Sequence, residues 1–439
     1  MASDPYAASN DTLEEVATTS GHGILRALRR HAVLVVLTLG YAVSTVDRYV
    51  MAILQEPIKR ELHLSDSELG LLTGFGFALF YSLFAIPIGR LADRWSRPKL
   101  LATVMLLWSA MTALTATAHS FATLLICRMG VAVGEAGVVP ASASLITSRY
   151  KLKHLAGAMS FLYAGPSIGL LVAFLCGSRL SESIGWRATF VVAAIPGVIL
   201  AAVLLLIERQ EARPAASEPI RFIDGLRHLA GIRMLRPFAV AVCLSVLVAT
   251  APMSWAAPYL IRSHDMSIVE VGFILALAFG AGGAIANFLS GIVVDRLVRR
   301  DIRWYLWFPA ILMGVIGPMI AGSMIATTGA LAVALLLAPC VLGVSFAGIS
   351  LAVLNRATPE QFRGAATAIY ILMTNIFGIG AGTWLVGIIS DRLVETVQAD
   401  SLKYALLMVV PGAAMVALVA YLLAARHMKV ESVTNVPSA

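Results

Sequence analysis

Gly89-Arg90-Leu91-Ala92-Asp93-Arg94-Trp95-Ser96-Arg97-Pro98-Lys99 closes the second long apolar stretch of this chain, and Gly291-Ile292-Val293-Val294-Asp295-Arg296 closes the eighth. The same Gly-x-x-x-Asp-Arg pattern at equivalent places in two runs of six stretches means that the chain repeats itself. A second echo pairs Gly157-Ala158 and Tyr163 of the fifth stretch with Gly364-Ala365 and Tyr370 of the eleventh.

Composition says what is being repeated. Of the 439 residues, 59% are hydrophobic and 13% charged, whereas soluble domains carry roughly 25% charged residues. Mean hydropathy is +0.84. The chain reads as a polytopic all-α membrane protein. Apolar segments of about 20 residues, the length that spans the hydrocarbon, recur from His31 to Arg426. They number about twelve, which predicts two pseudo-symmetric six-helix bundles, residues 31–207 and 236–426. The hydrophilic stretch 208–235, with Glu208, Glu211, Glu218 and Asp224 among five arginines, reads as the linker between them. Residues 1–30 read as a helix-poor, disordered cytosolic tail with no signal peptide, and 427–439 as a second cytosolic tail. Parallel repeats of this kind place a substrate site between the bundles near the midplane.

The net charge of +8 does not indicate nucleic acid, because the basic residues collect in alternate loops. Arg94, Arg97 and Lys99 follow span two; Arg149, Lys151 and Lys153 follow span four; Arg296, Arg299, Arg300 and Arg303 follow span eight. The positive-inside rule puts these loops and both termini in the cytosol. The turns at His119-Ser120 and Thr327-Thr328-Gly329 hold no Asp, Glu, Lys or Arg. Cys127, Cys176, Cys243 and Cys340 lie in apolar spans without a CxxC pair, so neither a disulfide framework nor a metal site is indicated.

Charge inside the spans is costly and marks function by default. Asp47 and Arg48 are neighbours in span one, about 100° apart around a helix. Arg128 and Glu135 in span four are seven residues apart, roughly 10 Å along the axis, too far for a simple pair, so each calls for a partner on another helix. Gly130 and Gly134 between them form a GxxxG that admits close helix packing. Burial raises a carboxyl's pKa and a nearby guanidinium lowers it, so a cycle that moves an arginine would load and release a proton. Glu135 or Asp47 is the expected carrier and Arg128 or Arg48 its modulator. A static ion network that only fixes packing is the alternative.

The stretch Gly89 to Lys99, in this setting, resembles the signature loop of the major facilitator superfamily, with a weaker copy at Gly291 to Arg296. The resemblance implies that Asp93, with Gly89, Arg94 and Arg97, latches the two halves together in an outward-open state. Within that superfamily, Asp47-Arg48-Tyr49, Arg128-x-Gly130, Gly134-Glu135-Ala136 and the run Leu71-Leu72-Thr73-Gly74-Phe75 to Phe80-Tyr81 and Pro87 are similar to the Spinster group, including its bacterial members. Spinster relatives are implicated in moving sphingolipids and lysolipids. The anion:cation symporter group shares the Asp-Arg of span one and the Arg with Gly-Glu-Ala of span four. Gly165-Pro166-Ser167-Ile168-Gly169 in span five is similar to the core of a proton-coupled antiporter motif.

Spans seven to twelve offer no acid or base deep in their apolar stretches. Their cavity candidates are Ser254, Trp255, Asn287, Phe346, Tyr370 and Asn375. A cavity charged on one wall and neutral on the other suits an amphiphile, its head near Arg48 and Arg128 and its tail against the second half. No GxxxxGK[ST], HExxH or GxSxG occurs, which argues against an ATP-driven pump or a hydrolase. The expectation is therefore a non-enzymatic, proton-coupled secondary transporter of an amphiphile, without cofactor, acting as a monomer among inner-membrane lipids. The alternatives are a proton-coupled symporter of small organic anions such as sugar or aromatic acids, and a multidrug exporter.

Overall fold

The computed structural model describes residues 7–208, 222–343 and 346–428. Residues 209–221 of the linker and most of the C-terminal tail therefore lie outside the described residues, as do the side chains of residues 7–27, Asp93 and Arg94. Ten helices among the described residues are long and apolar enough to cross a membrane. One of them, His154–Ile207, has 54 residues, far beyond the length that spans about 30 Å of hydrocarbon. It folds back at Gly185, whose φ of 80° and ψ of 163° interrupt the helix, and so supplies two spans.

The twelve spans are α1 (Ala7–Ile53), α2 (Asp66–Ala92), α3 (Arg97–Thr115), α4 (Phe121–Thr147), α5 (154–184), α6 (185–207), α7 (Leu235–His264), α8 (Ile268–Val298), α9 (Trp304–Ile325), α10, α11 (Arg363–Val397) and α12 (Ser401–His427). α10 begins as Gly329–Leu342 and resumes as Ala347–Ala357. A short helix, Gln55–Leu62, joins α1 to α2, and a linker helix, Phe222–Gly231, precedes α7. The first residues correct the sequence expectation: the chain is helical from Ala7, continuous with the first span. A span already nucleated in the membrane propagates cheaply outward through helix formers such as Leu13-Glu14-Glu15 and Leu25-Arg26-Ala27.

Twelve crossings put both ends of the chain on one face, here called the terminal face. On the opposite, far face the uncharged turns act as helix starts. Ser120 accepts from the Thr123 N–H and Thr328 from that of Leu331, while Ser65 with Glu68 and Ser267 with Glu270 form capping boxes. Small residues then let spans approach closely. Gly134 of α4 sits against Trp108 and Val104 of α3, and a Cβ at Gly165 or Gly169 of α5 would come within 2.6 or 2.4 Å of the Thr38 or Ala42 carbonyl oxygen of α1. The Gly-Pro-Ser-Ile-Gly run thus seats α5 on α1.

Among the described residues, the halves meet toward the far face. One apolar core joins Met51, Leu54, Leu69 and Leu72 of the first half to Trp255, Tyr259, Phe279 and Val386 of the second, whereas a separate core around Leu37, Trp108 and Leu145 stays within the first. Gly70 and Gly74 of α2 lie against the Thr383 backbone and side chain of α11, and Gly272 and Gly280 of α8 against Phe174, Ser178 and Leu171 of α5. Toward the terminal face, Cβ atoms at Gly89, Gly157, Gly291 and Gly364 would meet nothing within 4 Å. The bundle is closed at the far face and splayed at the terminal face.

Candidate functional site

Packing decides which face each charged neighbour of α1 takes. Asp47 is fully buried, with Thr112 of α3 and Glu135 and Arg128 of α4 as its electrostatic neighbours, and its carboxylate oxygens accept no hydrogen bond from a described residue. Arg48 turns the other way, its side chain 24% exposed, and its Nη2 donates to Glu135 Oε2 at 2.8 Å. Arg48 Nε reaches the same oxygen at 3.2 Å. Glu135 is only 2% exposed, and its other oxygen is unpaired among the described residues.

Arg128 and Glu135 do not pair with each other. Arg128 is 2% exposed and donates through Nη1 to the Asp47 carbonyl oxygen at 3.0 Å. Its Nε and Nη2 make no hydrogen bond among the described residues. Of the two guanidinium groups, only that of Arg48 is open to a ligand.

An aromatic scaffold, invisible as such in the sequence, holds the cluster. The Phe77 ring of α2 has the Arg48 guanidinium carbon 4.5 Å and the Arg128 guanidinium carbon 5.0 Å from its centre. Tyr81, one turn further along α2, lies 5.1 Å from Arg48 and stacks on Phe77 at 6.0 Å. Tyr49 is also within electrostatic reach of Arg48, and so is Tyr41, which meets Tyr163 of α5 edge-on at 6.1 Å. A partly exposed guanidinium ringed by tyrosine hydroxyls and anchored on a buried carboxylate is an anion-binding arrangement that also carries a titratable group.

The second half contributes no charge at this depth. Nearer the terminal face, Tyr370, Thr374 and Met373 of α11 line an apolar cavity of about 230 Å³ with Leu229 of the linker helix and Leu235, Phe238 and Val242 of α7, and Arg236 is the one charged side chain in its wall. Asn375 is half-buried and donates to the Ile371 carbonyl, and Asn287 is exposed on α8. Trp255 and Phe346 are 0% and 3% exposed and belong to the apolar core. The Trp255 N–H donates to the Thr383 carbonyl at 3.0 Å, which makes it part of the far-face core.

Of the anticipated latch, Gly89 has open space around it and Arg97 begins α3, while the Asp93 and Arg94 side chains lie outside the described residues. The contacts that bridge the halves were not anticipated. Arg262 of α7 pairs with Glu56 and, through both terminal nitrogens, with Asp66 at 2.8 and 2.9 Å; Lys59 pairs with Asp66 as well. Gln55 donates to the Ser254 carbonyl at 2.9 Å. Their only signal in the sequence is a cluster of charges in the turn after the first span. Among the described residues no group of His, Cys, Asp and Glu could hold a metal ion, and the four cysteines are free.

Known proteins with this architecture fall together. The family profile described as Major Facilitator Superfamily matches residues 37–383. An MFS-type efflux pump of Mycolicibacterium smegmatis is 32% identical over 92% of this chain and 94% of its own length. A probable galactarate/D-glucarate transporter of Bacillus subtilis is 24% identical over 80% and 83%. The crystal structure of a bacterial homologue of the human lysosomal transporter Spinster, inward-facing and unoccupied, superposes with a TM-score of 0.77 at 25% identity, covering 91% of this chain and 96% of that one. With the internal repeat, the twelve spans and these matches in agreement, the chain is a membrane transporter, not an enzyme, and belongs to the major facilitator superfamily.

Proposed function

We propose that the protein is a proton-coupled secondary transporter of an amphiphile with an anionic or zwitterionic head, a lysolipid or a sphingolipid-like molecule. The observation that carries this reading is the contrast between the walls. The first half presents Arg48 on Glu135, while the second presents the apolar cavity beside Tyr370 and Thr374. The head binds Arg48 and the tail lies against the second half. Arg128 supports the site from behind Phe77 and does not touch substrate. The likeness to a Spinster homologue supports the same class.

Coupling follows from the geometry. When a substrate anion or a rocking motion draws Arg48 away, Glu135 is left as a buried carboxylate without its counter-charge, the condition under which such a group takes up a proton. Asp47, already unpaired and fully buried, is the second carrier. The basic loops put the terminal face in the cytosol, which makes the conformer inward-facing, with the chain acting as a monomer in the plasma membrane. A second reading draws on the tyrosine hydroxyls around Arg48: together with the guanidinium they would suit a sugar acid, the substrate named for the Bacillus subtilis relative. The name of the mycobacterial relative also supports outward transport.

Proteoliposomes loaded with a pH dye and given a lysophospholipid, a sphingosine-like amphiphile and a hexuronate in turn separate the readings. Amphiphile-driven proton flux that disappears in Glu135→Gln is the expected result. Flux with hexuronate alone moves the protein to the organic-anion symporters.

A further inference from the structure

The hexapeptide pattern that ends α2 occurs a third time, as Gly387-Ile388-Ile389-Ser390-Asp391-Arg392 near the end of α11. This copy lies on the far face, opposite Gly89–Arg94. α2 and α11 run antiparallel, packed through Gly70, Gly74 and Gly380, so each helix carries Gly-x-x-x-Asp-Arg at the end that lies on the same face as the start of the other.

At the far face the pattern is engaged at three positions. The two carboxylate oxygens of Asp391 accept the backbone N–H groups of Asp66 and Ser67, each at 2.8 Å. These are N–H groups of the first turn of α2, which have no partner within the helix and sit at its positive end. Ser390 Oγ donates to Asp66 Oδ2 at 2.6 Å. Gly387 admits the approach: a Cβ there would lie 2.3 Å from the Asp66 carbonyl oxygen and 3.0 Å from Ser67 Cα. At Gly89 and Gly291 a Cβ would meet nothing within 4 Å. Of the three glycines of the pattern, the one in close contact is the one on the closed face.

We propose that Gly387–Arg392 is a latch that holds the far face shut by capping the start of α2, and that Asp391 and Gly387 set the population of this conformer. The ion pairs of Asp66 with Arg262 and Lys59 surround the latch and share the Asp66 carboxylate with Ser390, but not the carboxylate of Asp391. The hold exerted by Asp391 is a charge-to-helix-end contact between backbone and side chain, so it survives changes in the ion pairs and opens as a unit when α11 withdraws.

Spin labels placed at His119→Cys and Thr327→Cys, two exposed far-face turns in opposite halves, report the opening without any substrate. The background replaces the exposed Cys176 with serine, and the result is independent of what the protein carries. Wild type should give one short distance. Asp391→Ala and the wedge Gly387→Val should each raise the long-distance population at least tenfold, with Asp391→Asn between them and wild type. Asp93→Ala, at the open end, should produce no lengthening. The proposal is overturned if Asp391→Ala and Gly387→Val both leave the distribution unchanged, or if Asp93→Ala lengthens it equally.

Discussion

Two guanidinium groups 4.5 and 5.0 Å from the centre of one Phe77 ring make that side chain the support of the whole charged cluster. One cation–π contact away from water contributes about 2 kcal/mol. Phe77→Leu, which keeps an apolar side chain but removes both contacts, should therefore lower stability by up to about 4 kcal/mol. Phe77→Tyr should retain most of it. The measurement is the thermal unfolding midpoint in detergent, and a Leu variant as stable as the Tyr variant would remove Phe77 from this role. The charges themselves were legible, since Asp47, Arg48, Arg128 and Glu135 stand out in apolar spans and their spacing required partners on other helices. Phe77 was not, because one aromatic among Phe75, Phe77, Phe80 and Tyr81 differs from the others only in helical phase. The same lack of phase left Trp255 among the cavity candidates, although its indole is sealed into the far-face core.

At the scale of elements, the sequence showed where apolar stretches begin and end but not how one continuous helical run becomes two spans. The polar stretch Arg179 to Arg187, with Ser181, Glu182 and Ser183, marks a span end in the sequence, but nothing there says that the helix reverses at one residue, Gly185, with its φ of 80° and ψ of 163°. That region of backbone space is essentially reserved for glycine and costs other residues about 1–3 kcal/mol. A Cβ at Gly185 would meet nothing within 4 Å, so the penalty for Gly185→Ala should be purely conformational, read as a lowered unfolding midpoint. Gly157→Ala, equally uncrowded but within ordinary helix, should be neutral or stabilising by about 0.5–1 kcal/mol. Equal midpoints for the two variants would count against the strain. Helix ends were partly legible: serines and threonines before the uncharged turns are recognisable caps, whereas the tail before His31 extended a helix that its polar composition had argued against. The third Gly-x-x-x-Asp-Arg was written in the chain too, but its meaning depended on α11 lying antiparallel to α2, a fact of tertiary packing.

At the scale of the whole molecule, the apolar core shared by the two halves and the Asp66–Arg262 ion pairs form a single barrier between the Arg48 cluster and the far face, while the described residues form no such barrier on the terminal side. Access to the cluster should therefore be one-sided at any instant. Tyr163 of α5, 52% exposed and in edge contact with Tyr41, is a reporter placed beside the cluster and outside its ion pairs. With Cys176 replaced by serine, Tyr163→Cys should react with a membrane-impermeant thiol reagent applied to the terminal face at least ten times faster than from the far face. Adding Asp391→Ala should raise the far-face rate and lower the terminal-face rate together, because one rocking motion exchanges the two openings. A far-face rate that rises while the terminal-face rate stays constant would describe a leak through the barrier, and alternating access would then have to be sought in some movement other than the rocking of one six-helix half against the other.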